Sequence, residues 1–273
     1  LDNTLYVGQD ANTKLLIHGG GVDTNGSGDQ TFTDASPSGH TITTVGNTQW
    51  DDTKSKFAST SIKFDGTGDY LSVADSSDWA FGTGDFTIDF WFYATALASY
   101  TGLIVQIPTT FGSTDSDHGL FIELDNNSSK LRLFIRPLTD PYSGDMFTEI
   151  NQSSISLNTW HHVAVVRETG ANKITMYLNG ASVGSSTWSG STSYPDFAAP
   201  LLIGVRNDQD DYFQGYMDEV RISKGIARWT AAFTPPTRRY GVMSPEPTGD
   251  HLPLSGGTLT GDLTVNNSAD SSL

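Results

Sequence analysis

The chain has 273 residues, no Cys, and a formal charge of −16 from 15 basic against 31 acidic side chains. The missing Cys excludes disulfides, thiolate chemistry and Cys-held metals, and the acidic balance excludes nucleic acid as a diffusely bound partner. No apolar run of about eighteen residues is present, which excludes insertion into a membrane as a helix, and the abundance of Gly, Ser, Thr, Asp and Asn points to short strands joined by many turns.

Residues 1–13 read as a polar N-terminal arm. Residues 14–18 form a short apolar strand, followed by Gly19, Gly20 and Gly21. Strands at 40–45 and 48–50 flank Gly46-Asn47, a candidate type I′ turn. In 61–73, Ile62 and Phe64 share a face, 65–69 makes a loop, and 70–73 returns. Residues 78–84 read as an aromatic-bearing loop or helical turn. The most apolar strand, 85–93, puts Phe86, Ile88, Phe90 and Phe92 on the core side, with Thr87, Asp89, Trp91 and Tyr93 opposite. Strands at 103–107, 119–124 and 130–136 follow, then a weaker one at 147–150.

The clearest hairpin spans 158–184. Residues 160–167 are β-branched and aromatic. A turn at 168–172 leads into 173–178, where Lys173, Thr175 and Tyr177 alternate with Ile174, Met176 and Leu178. Asn179-Gly180 is the preferred pair for a two-residue type I′ turn into a strand at 181–183. Residues 185–199 form a long loop, 201–205 a strand, 207–211 an acidic loop and 214–223 the last strand. Residues 225–229 suggest a helical turn, and Pro-rich 233–240 closes a domain spanning 14–240. Residues 241–250 have linker composition, and 251–273 form a further segment too small to hold a core alone.

A dozen or more short strands with regular turn signals predict an all-β, two-sheet antiparallel β-sandwich of the jelly-roll kind. Six ordered motifs sharpen this: Phe64-Asp65-Gly66-Thr67-Gly68-Asp69-Tyr70-Leu71, Phe86 to Trp91, Trp160-His161-His162-Val163-Ala164, Tyr177-Leu178-Asn179-Gly180, Leu202-Ile203-Gly204 and Phe213 to Ile222. Together they resemble the laminin G-like branch of the concanavalin A-like lectin/glucanase fold over residues 14–240. The ending through Trp229 and Phe233-Thr234-Pro235-Pro236 resembles copies of this domain in bacteriophage structural proteins. The stretch from Leu252 to Leu263 resembles a fibre-like segment of phage tail fibres.

The resemblance implies a non-enzymatic protein displayed on the extracellular virion surface, as a tail fibre or capsid decoration, with other virion proteins as partners and adhesion to host-surface glycan as its work. Its alternative is a bacterial secreted or surface carbohydrate-binding module. Leu252, Leu254, Leu259 and Leu263 have no core of their own and are expected to bury in a homo-oligomer, preferably a trimer.

Glucanases of the resembled fold carry a Glu-x-Asp-x-x-Glu set on one strand face. Asp85 to Asp89 lacks the third carboxylate, and Glu123-x-Asp125 runs into an Asn-rich turn, so no enzyme activity is expected. His161 and His162 are adjacent on a strand and point to opposite faces, which makes them framework rather than a chelating pair. Two loop clusters are candidates for Ca²⁺: Asp65 and Asp69 with Asp218, and Asn207, Asp208 and Asp210 at a rim loop. The plainer reading of both is solvated turn residues. Loop aromatics suited to sugar stacking are Trp188, Tyr194 and Tyr212, with Asp211 beside the last. Tyr100 and Tyr142 also fall in loops, while Trp91 and Trp160 read as packing.

Overall fold

In the computed structural model the described residues are 10–23, 30–97, 100–108, 119–125, 130–136, 148–187, 193–206 and 211–241, with backbone only for 148–154. They form fifteen strands. In chain order these are β1 (Thr13–Ile17), β2 (Ile42–Val45), β3 (Gln49–Asp51), β4 (Ser61–Asp65), β5 (Tyr70–Val73), β6 (Phe86–Ala94), β7 (Tyr100–Gln106) and β8 (Gly119–Asp125). There follow β9 (Lys130–Arg136), β10 (Thr148–Ser154), β11 (Trp160–Glu168), β12 (Lys173–Leu178), β13 (Ala181–Thr187), β14 (Leu201–Ile203) and β15 (Gln214–Lys224).

They make two antiparallel sheets, the sandwich expected from the strand pattern. The eight-stranded sheet runs β13-β12-β11-β6-β15-β4-β3, with β1 also on β15; the seven-stranded sheet runs β10-β9-β8-β7-β14-β5-β2. The core lies between them. Period-two alternation sends Phe86, Ile88, Phe90 and Phe92 of β6 into it, against Leu120, Ile122 and Leu124 of β8 and Leu131, Leu133 and Ile135 of β9. The chain divides into two compact units, Leu1–Val242 and Met243–Leu273. The second unit, with Leu252, Leu254, Leu259 and Leu263, lies outside the described residues.

Two local expectations fail. Gly46-Asn47 does not close a hairpin: β2 belongs to the seven-stranded sheet and β3 to the eight-stranded one. The pair is a corner between layers, with Gly46 at φ 69° and the Asn47 N–H held by Asp69 Oδ1 at 2.7 Å. Asn47 is not among the residues with positive φ, so the pair lacks the second left-handed residue that a type I′ turn requires. Residues 225–229 contain no helix.

Instead, 225–241 run as a strap over the outer face of the eight-stranded sheet. The Arg228 N–H donates to Thr87 Oγ1 at 3.0 Å, Arg228 Nε to Ser223 Oγ at 2.8 Å, and the Phe233 N–H to the Gly180 carbonyl at 2.9 Å. Trp229 stacks on Phe233 with ring centroids 4.2 Å apart, and both pack against Ala164, Val166 and Tyr177. The strap thus covers this part of the face opposite the core, which explains why Thr87 and Asp89 are buried although they alternate with core residues.

Candidate functional site

The outer face of the seven-stranded sheet carries the densest unassigned chemistry. On β8 and β9 the residues between the core-facing leucines point outward: Phe121, Glu123, Arg132 and Phe134. Glu123 is almost fully buried. Its Oε2 accepts from Arg206 Nε at 3.0 Å, and its Oε1 lies 3.3 Å from Arg132 Nη1. The Arg206 guanidinium sits 5.1 Å from the Phe121 ring centre and 5.4 Å from that of Tyr100. Arg132 sits 5.1 Å from Phe134 and 5.7 Å from Tyr100. These distances are within cation–π reach. Burial pushes the Glu123 carboxyl up, and the two guanidinium groups oppose that.

A loop crossing places Arg206 there. Gly102 on β7 has no side chain where residues 205 and 206 pass: a Cβ would meet the Val205 carbonyl oxygen at 2.3 Å and the Arg206 nitrogen at 2.4 Å. The crossing is closed by a bridge between Val205 and Tyr212, and the Asp211 carbonyl accepts from the Arg206 N–H at 3.3 Å. Tyr212 stacks on Tyr70 of β5 with centroids 6.5 Å apart. Arg132 was legible in the sequence, since alternation along 130–136 sets it opposite the leucines. Arg206 was not, because nothing local says that its segment crosses β7.

Of the residues expected to bind, Asp211 and Tyr212 lie beside this cluster, half-buried. Tyr194 does not reach ligand. It is 2 % exposed and packs edge-on against Phe81, Phe86 and Phe197, because a bridge from Gly82 to Tyr194 ties its loop to the core. Trp188, Asn207, Asp208, Asp210 and Tyr142 lie outside the described residues.

The carboxylate set Asp65, Asp69 and Asp218 is not assembled. Asp65 pairs with Gln214 on β15, four residues from Asp218, which is about 13 Å along a strand. Asp69 instead accepts from the Asp65 and Asn47 N–H groups. Asp218 accepts from the Gly19, Lys56 and Glu219 N–H groups. Among the described residues no group of three His, Asp or Glu is placed to hold a metal.

His161 and His162 are buried framework, as alternation requires. Asn179 Oδ1 accepts from the His162 N–H at 2.9 Å. Gly180 to Gly184 spells Gly-x-Ser-x-Gly, yet Ser182 is an exposed residue of β13 paired with Tyr177. It does not stand on the strand-to-helix elbow that makes that motif nucleophilic.

The family model described as the concanavalin A-like lectin/glucanases superfamily matches residues 65–228, more than half of the chain. Similar solved structures include the binding domain of Paraclostridial Mosquitocidal Protein 1 (17 % identity, TM-score 0.57, covering 80 % of this chain and 50 % of that one). The binding domain of Botulinum neurotoxin DC, in a complex with SialylT, is 15 % identical with a TM-score of 0.56, over 80 % of this chain and 49 % of that one. Domain 4 of AbnA, an extracellular GH43 arabinanase from Geobacillus stearothermophilus, in complex with arabinotriose, is 18 % identical with a TM-score of 0.52. That match covers 79 % of this chain and 95 % of that one. The chain thus spans about half the length of the toxin binding domains. No curated protein matches.

Proposed function

The chain belongs to the concanavalin A-like lectin/glucanases superfamily, and from that premise we propose that it is a non-catalytic glycan-binding module of a bacterial secreted or surface protein. The observation that carries this reading is the Glu123–Arg132–Arg206 cluster, set among Tyr100, Phe121 and Phe134 on an outward sheet face. The half-buried rings of Tyr100 and Tyr212 offer the apolar faces of sugars a surface and the two guanidinium groups orient hydroxyls, while the buried Phe121 and Phe134 back those guanidinium groups. The arabinotriose complex of the arabinanase domain and the SialylT complex of the toxin domain lend support from the same fold.

The state of Glu123 supports binding rather than hydrolysis. Asp125 shares its strand face about 7 Å away, but both Glu123 oxygens face guanidinium groups, so neither is placed to attack an anomeric carbon or to protonate a leaving oxygen. Release of reducing ends from soluble glucans would sink this part.

The test is a glycan array probed with and without chelator, repeated with Arg206→Ala and Tyr212→Ala. Each variant is expected to lose about tenfold or more in affinity while keeping its melting temperature within a few degrees. Silence on every glycan, or binding untouched by both substitutions, overturns the proposal. Chelator-sensitive binding supports Ca²⁺ at Asn207, Asp208 and Asp210, and chelator-insensitive binding removes it. Virion display as a trimer rests on the fibre-like 252–263 segment; a monomeric mass in solution, unchanged by deleting 241–273, removes it.

A further inference from the structure

One row of the eight-stranded sheet's outer face has no role in the site above. Trp160 on β11, Tyr93 on β6 and Tyr216 on β15 are register partners across three adjacent strands. Their ring centroids are 5.6 Å and 5.9 Å apart. The next partner in the row is Lys63 on β4, whose Nζ pairs with Asp51 Oδ2 at 2.5 Å. Thr53 Oγ1 hydrogen-bonds Asp51 and lies 3.3 Å from Tyr216 Oη.

The rows further in are sealed. Trp91, His162 and Asp218, the neighbouring row, are all buried, with Lys56 Nζ 3.8 Å from the Trp91 ring centre and Phe57 edge-on at 5.7 Å. The three rings of the outer row stay half-buried. A row that served packing alone would be covered as its neighbours are. Half-covered rings retain apolar area that is still favourable to bury.

We infer that Trp160, Tyr93 and Tyr216 form a second saccharide-binding platform, on the side of the sandwich opposite the Glu123 cluster, and that its ligand is a neutral oligosaccharide. The rings supply apolar faces at a spacing comparable with one sugar unit. Thr53, Tyr216 and the Lys63–Asp51 pair line one end with donors and acceptors for hydroxyls. The one basic side chain in the row is already neutralised by Asp51, and the chain as a whole carries −16, so a polyanionic ligand would be repelled. The rings are tilted by 59° and 79° to one another. Such a ridge suits a single soluble chain rather than the flat face of a crystalline polysaccharide.

The experiment is titration of the full chain with neutral gluco- and arabino-oligosaccharides of increasing length, followed by calorimetry and Trp fluorescence, alongside a pull-down on crystalline cellulose. Affinity should rise with oligosaccharide length. Binding to Arg206→Ala should persist in part, with a fluorescence change, and Trp160→Ala or Tyr216→Ala in that background should abolish the remainder, about a tenfold loss or more. Trp160→Tyr should restore it, which separates a binding role from a folding defect. If Arg206→Ala alone removes all binding, the platform is overturned while the front-face reading stands. Binding lost only with the Trp160 and Tyr216 variants overturns the front-face reading and keeps the platform. Capture of crystalline cellulose in preference to soluble chains, or of a peptide instead of sugar, overturns the platform as described.

Discussion

Asp89 is the residue on which the outer layer of the molecule turns. Its Oδ1 accepts from Arg221 Nε at 2.9 Å, and its Oδ2 accepts from Arg221 Nη2 at 3.2 Å and from Tyr240 Oη at 2.5 Å. The Arg221 guanidinium also lies 3.6 Å from the Tyr240 ring centre, which pins the end of the strap. His162 Nε2 is 3.6 Å from Asp89, too far for a hydrogen bond, so that contact is electrostatic only. Burial pushes the Asp89 carboxyl up, but Arg221 and His162 outweigh it and hold it at about 2. Burial also lowers the His162 imidazole, against the Asp89 carboxylate, which raises it. Asp89→Asn would leave the fully buried Arg221 charge unpaired. It is expected to cost about 3–5 kcal/mol in urea denaturation; a loss under about 1 kcal/mol would show that the strap, not the ion pair, carries this layer. The sequence placed Asp89 on the non-core face correctly. It could not place Arg221 and Tyr240 against it, because they come from the far end of the chain.

At the scale of elements, the β12–β13 hairpin shows local and tertiary demands meeting in two residues. Asn179 and Gly180 take φ 52° and 80°, the two positive values that a type I′ turn requires. The same glycine lies under the strap: a Cβ on Gly180 would meet the Phe233 carbonyl oxygen at 1.8 Å. Gly170, in the turn between β11 and β12, has nothing within 4 Å. Gly180→Ala is therefore expected to destabilise by about 1–3 kcal/mol, whereas Gly170→Ala should be neutral or stabilise by a few tenths to about 1 kcal/mol. Equal effects in thermal denaturation would mean that the strap does not bear on the hairpin. The hairpin was legible because its signals are local. The Gly46-Asn47 corner was misread because its residue types permit a type I′ turn, while the pairing of β2 and β3 with different sheets leaves only Gly46 at positive φ.

For the whole molecule, two buried carboxylates on the same sheet pull stability in opposite directions with pH. Asp89, lowered from 3.8 to about 2, contributes stability that is present above the unfolded value and lost as pH falls through about 2. Asp218 is raised from 3.8 to about 6 by burial first and by Glu219 next, against its three backbone donors. Its contribution is full below 3.8 and is lost as pH rises through about 6. That loss corresponds to roughly 3 kcal/mol. Asp218→Asn, measured by urea denaturation at a series of pH values, should flatten the decline between about pH 4 and 7 while leaving the acid limb set by Asp89 unchanged. An unaltered slope would mean that Asp218 is not the group responsible.

The sequence by itself determined the all-β class, the existence and order of nearly every strand, which residues of β6 face the core, and the two-faced alternation of β12. Those properties follow from period-two alternation and turn residues, which act within a few positions. It also assigned His161 and His162 to the framework and singled out Asp211 and Tyr212, which the tertiary structure sets beside the Glu123 cluster. Only the tertiary structure decided that residues 225–241 cover part of the outer face of the eight-stranded sheet, that Tyr194 belongs to the core, and that Asp65 and Asp218 stand apart. It alone brought Arg206 across Gly102 onto Glu123 and left Trp160, Tyr93 and Tyr216 in a half-open row. Those outcomes depend on which distant strands pair and on how loops cross sheet faces, and the energy that selects them comes from burial between segments whose separation along the chain carries no local signal.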